Sequence, residues 1–267
     1  MNVPLSPQLQ LEVRRAGNPQ APKIVFLHAF PLNHAMWDAQ IAHFQDLYDC
    51  IAPNFRGFGD STPFEVKPTF EAMARDIKTL LDALQIEEKV VICGLSMGGY
   101  CAFEFWRAFP DAVRALVLCD TRADADSSEA RESRNEMLGF ALRNDSRAVA
   151  QKMLPKLLGK SNANREDWAF EIEEMAARSR HENLAATIQA LRDRRDSTPI
   201  LGEIAVPTLV ICGEEDEIST PQTMQEMAAK IPNAQFALIE GAGHLSNIEN
   251  PARFDEVLEG FLGAQSF

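Results

Sequence analysis

Positive charge is scarce in this chain: 26 lysines and arginines stand against 39 aspartates and glutamates, a net charge of −13. Binding to nucleic acid needs a basic surface to meet the phosphates, so no nucleic-acid partner is expected. Cysteine is also sparse. Cys50, Cys93, Cys101, Cys119 and Cys212 are odd in number, and no two are spaced Cys-x-x-Cys. Most lie in or beside apolar runs, which reads as buried reduced thiols rather than a disulfide framework. No His-Glu-x-x-His motif and no Cys/His cluster is present, so no metal site is expected. No apolar run approaches the roughly 20 residues of a membrane span. The first residues, Met1-Asn2-Val3-Pro4-Leu5-Ser6-Pro7, lack a basic stretch followed by an apolar one. A secretory signal is therefore not expected, and a cytoplasmic location is.

What the chain does have is apolar material: 46% of its 267 residues, enough for one domain with a sizeable core. Short β-branched runs alternate with helical periodicity, as a mostly parallel α/β sheet requires. The runs are Leu9 to Val13, Lys23 to Leu27, Asp49 to Pro53, Lys89 to Cys93, Val113 to Cys119, Thr208 to Cys212 and Gln235 to Ile239. Between them, Thr69 is a good N-cap for a helix whose Phe70, Met73, Ala74, Ile77, Leu80, Leu81 and Leu84 share one face. The alternation stops after Thr121. From Arg122 to Ile200 the sequence offers charges and helical periodicity only, over Glu129 to Arg143, Ser146 to Leu158 and Arg165 to Arg195. Residues 1–121 and 201–267 are therefore expected to form the α/β core, with 122–200 a helical cap over the edge where such sheets bind ligands.

One stretch carries chemistry. Gly94-Leu95-Ser96-Met97-Gly98 follows a strand-like run and opens a helix-like one, placing a serine on a tight strand-to-helix turn. A serine hydroxyl needs a base before it is a useful nucleophile. There are five histidines, His28, His34, His43, His181 and His244, and His244 sits on a Gly-rich loop just beyond the last strand-like run. Asp216 follows the preceding run and is the candidate acid, with Glu214, Glu215 and Glu217 as competitors. The order Ser96, Asp216, His244 is that of one of the three unrelated serine-histidine-acid arrangements.

The chain resembles the α/β-hydrolase superfamily, most closely its small bacterial carboxylesterases, 3-oxoadipate enol-lactonases and cofactor-free perhydrolases. The resemblance is carried by Leu27-His28-Ala29-Phe30-Pro31, Asn54-Phe55-Arg56-Gly57-Phe58-Gly59-Asp60-Ser61, Cys93 to Gly99, Gly213 to Asp216 and Gly243 to Pro251. The family usually has His-Gly at His28-Ala29 and Asp at Asn54. By analogy the oxyanion hole consists of the backbone N–H groups of Phe30 and Met97, since Pro31 has none to offer. His28 is expected to pin the oxyanion loop by hydrogen bonds rather than act in catalysis.

The resemblance implies a cofactor-free serine hydrolase of small esters or lactones. A perhydrolase, a C–C bond hydrolase or a hydroxynitrile lyase would keep the same triad, whereas dehalogenases and epoxide hydrolases of this fold need a carboxylate where Ser96 stands. A small-ligand receptor on the same scaffold would have no use for the triad. An anionic lactone would further require a cation in the pocket, for which Arg122, Arg131, Arg134 and Arg143 are available.

Overall fold

A computed structural model of the chain describes residues 1–265. Its strands are β1 (Asn2–Ser6), β2 (Leu9–Ala16), β3 (Lys23–Leu27), β4 (Asp49–Pro53), β5 (Val90–Leu95), β6 (Val113–Cys119), β7 (Thr208–Gly213) and β8 (Gln235–Ile239). They form one sheet in the order β1-β2-β4-β3-β5-β6-β7-β8. β1 and β2 run antiparallel to their neighbours; every pair from β4 to β8 is parallel. β1 was not legible in the sequence because it is short and holds Pro4 at its centre, although Val3 and Leu5 turn inward between exposed Asn2, Pro4 and Ser6. It is an edge strand, the place in a sheet where proline is tolerated.

The helices are α1 (Asp38–Phe44), α2 (Phe70–Ala83), α3 (Met97–Ala108), α4 (Ser128–Ala141), α5 (Ser146–Leu157), α6 (Glu166–Ala177), α7 (His181–Asp193), α8 (Pro221–Ala228), α9 (Ser246–Glu249) and α10 (Pro251–Gly263). The central strands are apolar on both faces, as buried parallel strands are. Val25, Leu27, Ile92, Leu116, Leu118 and Val210 pack on one side with Phe70, Met73, Ile77 and Leu80 of α2 and Phe103 of α3. Ile24, Phe26, Val91, Val117 and Ile211 pack on the other with Ile41 and Phe44 of α1 and Phe254, Leu258 and Phe261 of α10.

Four helices, α4 to α7, separate β6 from β7, with α4 against α7 and α5 against α6. The single periodic stretch expected over Arg165 to Arg195 is two helices. The break falls at Arg178 to Arg180, where the buried Ser179 accepts from Ser146 Oγ through its carbonyl at 2.5 Å and from Gly59 N–H through its hydroxyl at 3.3 Å. Such tertiary hydrogen bonds outweigh a helical pattern that continues on paper. No helix of the described residues is long and apolar enough to cross a membrane, and all five cysteines are buried and unpaired.

Candidate active site

Ser96 stands between β5 and α3 at φ 53°, ψ −108°, a conformation costly for any residue with a side chain. The backbone around it keeps it there. Its N–H donates to Cys119 O at 2.9 Å, and its carbonyl accepts from Gly99 N–H at 2.9 Å and from the Thr121 hydroxyl at 2.8 Å. The two flanking glycines follow from space: a Cβ on Gly94 would lie 2.4 Å from Gly98 O, and one on Gly98 would lie 2.1 Å from Leu27 O. Only bare backbone lets α3 start so close to β3 and β5.

Asp216 lies in the loop after β7, buried, with Oδ1 accepting from Ile218 N–H at 2.7 Å and Ser219 N–H at 3.0 Å. Those two donors fix the carboxylate and leave Oδ2 aimed at His244 Nδ1, 2.8 Å away. His244 is itself buried, and its Nε2 lies 2.8 Å from Ser96 Oγ. The structure thus brings Ser96, His244 and Asp216 into one hydrogen-bonded chain. With Nδ1–H donating to Asp216, Nε2 is free to accept the serine proton.

The competing carboxylates point elsewhere. Glu214 accepts from Gly241 N–H at 3.1 Å, Glu215 binds the Ser161 backbone N–H at 2.8 Å, and Glu217 pairs with Lys160 at 2.8 Å. A different carboxylate shapes the histidine loop: Glu249 accepts from Gly243 N–H at 2.9 Å and Leu245 N–H at 3.2 Å. Its other oxygen accepts from Gly159 N–H and from the Asn162 side chain, both at 2.8 Å. The loop carrying His244 is therefore tied to the α5–α6 connection through one side chain. Sequence reasoning gave Glu249 no task, because only the fold shows which backbone donors surround it.

Phe30 follows β3, joined to Pro31 by a cis peptide bond, and Met97 is the first residue of α3. Among the described residues neither N–H makes a turn or loop hydrogen bond. For Met97 this is the usual lot of a first-turn helix donor. Beneath this loop His28 is wholly buried; its Nδ1 donates to Ala29 O at 3.0 Å and its Nε2 accepts from Phe55 N–H at 3.1 Å. Both ring nitrogens are used by the backbone, in a neutral imidazole. Asn54 also has a reason to be an amide: its Oδ1 accepts from His34 N–H at 2.6 Å while its Nδ2 donates to Glu12 Oε2 at 2.7 Å. An aspartate there would set two carboxylates against each other.

Burial pushes the His28 imidazolium down to about 3, with the Ala29 carbonyl opposing it only in part. An unfolded chain takes up a proton on this ring near pH 6.5, so between about pH 6.5 and 3 the unfolded state binds more protons and stability falls as pH drops. Above that window the stability from this group is complete. The total loss is on the order of 5 kcal/mol, and roughly half is expected by pH 4.5. Urea unfolding of the wild type and of His28→Gln at pH 7 and 4.5 measures it: the variant should lose less on acidification. Equal losses in the two proteins would contradict the assignment.

The alpha/beta hydrolase fold family matches residues 22–251 of the chain. Among curated relatives, the chain is 31% identical to 3-oxoadipate enol-lactonase 1 of Acinetobacter baylyi, over 94% of this chain and 92% of that one. Among solved structures, a thermophilic esterase from Thermogutta terrifontis superposes with a TM-score of 0.92 at 36% identity, covering 98% of this chain and 97% of the other. The enol-lactonase from Burkholderia xenovorans LB400 superposes with a TM-score of 0.89 at 28% identity, over 98% and 99% of the two chains. With its sheet order, its strained serine turn and these likenesses, the chain belongs to the alpha/beta hydrolase fold family and is an enzyme of that family.

Proposed function

We propose that the protein is a serine hydrolase that cleaves small carboxylic esters or lactones through an acyl-enzyme on Ser96. The observation that carries this reading is the chain of two 2.8 Å contacts from Ser96 Oγ through His244 to Asp216. In the first half-reaction His244 Nε2 takes the Ser96 proton as Oγ attacks the acyl carbon, and Asp216 stabilises the imidazolium that forms. The N–H groups of Phe30 and Met97 receive the oxyanion. The imidazolium then protonates the leaving alkoxide or enolate as the acyl–oxygen bond breaks. In the second half-reaction a water molecule gives its proton to His244 and attacks the acyl-enzyme. Ser96 leaves, regaining the proton. No step calls for a metal or an organic cofactor.

The helices from Arg122 to Ile200 act in this reading as the cap that sets pocket shape. Of the four arginines that could meet an anionic substrate, Arg122 is paired with Asp124 at 2.5 Å and Arg134 with Asp126 at 3.2 Å. Arg131 and Arg143 are exposed and have no ion pair among the described residues. With the two more buried cations neutralised, the reading favours neutral acyl esters and lactones of short to medium length. The relatives named enol-lactonases supply the second reading, an anionic enol-lactone, which would need Arg131 or Arg143 in the pocket.

The test compares p-nitrophenyl acetate, butyrate and palmitate with a carboxylate-bearing ester, in wild type and in Arg131→Ala and Arg143→Ala. Acetate and butyrate should turn over and palmitate poorly, with the neutral-to-anionic kcat/KM ratio changing less than about twofold, under ~0.5 kcal/mol of differential transition-state binding. A larger change in either variant would transfer the assignment to the anionic lactone. Absence of ester turnover in the wild type would sink both.

A further inference from the structure

Asp120 is a carboxyl group for which the reaction above has no use. It follows β6, wholly buried, at φ 45° in the left-handed region. Its backbone N–H donates to Ile211 O at 2.9 Å, and the next residue, Thr121, is the one whose hydroxyl holds the Ser96 carbonyl. The Asp120 side chain joins two other segments. Oδ1 accepts from Gly213 N–H at 2.7 Å, at the end of the strand that leads into Asp216. Oδ2 accepts a short hydrogen bond from the hydroxyl of Ser246, the first residue of α9 and two places beyond His244. Carboxylate oxygens of Asp120 and Asp216 and the Sγ of Cys212 all lie within 4.8 Å of one another.

Three such atoms could be taken for metal ligands, but their chemistry fits a hydrogen-bonded cluster better. The Cys212 thiol donates to Gly213 O and Ser219 O, both at 3.3 Å. Burial, then the two neighbouring carboxyls, push that thiol far above its ordinary range, whereas a metal takes a thiolate. Both carboxyls already accept from backbone donors.

We propose that Asp120 is a positioning residue for the hydrolytic site: its carboxyl ties the strand end that leads to Asp216 to the start of α9 just beyond His244, and so keeps the imidazole between Ser96 and Asp216. The inference rests on the serine-hydrolase reading. The titratable groups around Asp120 are Asp216, Glu249, Cys119 and Cys212, all acidic, with His244 beyond Asp216. Burial and then the Asp216 charge push the Asp120 carboxyl well above the usual carboxylate range, against the pull of the Ser246 and Gly213 hydrogen bonds. Both causes favour its neutral form. A neutral carboxyl can fasten two segments without adding a second negative charge beside the triad acid, where like charges in a buried site repel strongly.

Asp120→Ala, Asp120→Asn and Ser246→Ala test the link through kcat, KM, the rate of labelling by a fluorophosphonate and the acid limb of kcat/KM. Asp120→Ala should lower kcat and the labelling rate by about tenfold, with KM within about twofold. Asp120→Asn keeps the acceptor for Gly213 N–H, and its amide N–H can donate to Ser246 Oγ once that hydroxyl turns from donor to acceptor, so it should return both rates to within about threefold of wild type and leave the acid limb in place. Labelling of folded Asp120→Ala at the wild-type rate would overturn the proposal. So would an acid limb moved down by about a unit in Asp120→Asn, the mark of a negative charge removed from beside the imidazole. Should Asp120→Ala not fold, Ser246→Ala cuts the same link from the other side; a kcat lowered severalfold supports the tie, and an unchanged one contradicts it. Failure of the wild type to label at all is a different result, which removes the serine-hydrolase reading and this inference with it.

Discussion

Ser96→Ala is expected to lower kcat for a p-nitrophenyl ester by about 10⁵-fold, close to 7 kcal/mol of transition-state stabilisation, while the thermal melt stays near that of the wild type. Ser96 Oγ is the atom that bonds to the acyl carbon in the proposed reaction, so nothing nearby can replace it. His244→Ala should be about as damaging, and the double variant no worse than either single one, because nucleophile and base act as a unit. Asp216→Asn should cost less, since the oxyanion donors and the serine remain, although an amide favours the wrong imidazole tautomer. Steady-state kinetics on the four proteins decides the matter. Full additivity of the two alanine losses would mean that Ser96 and His244 do not share a step. The 2.8 Å contact between them would then be a structural hydrogen bond.

Gly98→Ala should unfold the protein more readily than any other single methyl added to this chain's serine turn, by about 3 kcal/mol. The new Cβ would meet the carbonyl oxygen of Leu27 at 2.1 Å and its carbon at 2.6 Å, both backbone atoms of a buried central strand. A flexible side chain could move aside; β3 cannot, because it is hydrogen-bonded to β4 on one side and to β5 on the other. Relief must come from the start of α3, which carries Met97 and shapes the turn at Ser96. Activity per folded molecule should therefore fall as well. Urea unfolding measures the first effect and labelling of the folded fraction the second. A loss of stability below about 0.5 kcal/mol would show that the strand and helix are not held as closely as the distances state.

The alternating apolar runs announced the parallel sheet because a strand buried on both faces must be apolar at nearly every position, as β3 and β5 are. They could not announce β1, half-exposed and interrupted by Pro4, which has no such constraint. The serine turn was legible for a related reason: backbone crowding at Gly94 and Gly98 forces a residue choice that survives in one sequence. Choosing Asp216 among four neighbouring acids was not physically legible. What separates it from Glu215 is the pair of N–H groups from Ile218 and Ser219, and their direction exists only after the loop has folded. Asp120 and Glu249 lay beyond reach for the same reason. A buried carboxylate is recognised by the donors around it, and these come from segments distant along the chain: Gly213 and Ser246 for Asp120, Gly159 for Glu249.

The most direct measurement is to treat the full chain with a fluorophosphonate, digest it and locate the modified residue by mass spectrometry. The proposed mechanism predicts one adduct per chain, on Ser96, with parallel loss of ester turnover. Labelling should slow as the solution is acidified, because a protonated His244 cannot accept the serine proton. Stoichiometric modification of any other serine, or robust labelling that persists in Ser96→Ala, would contradict it.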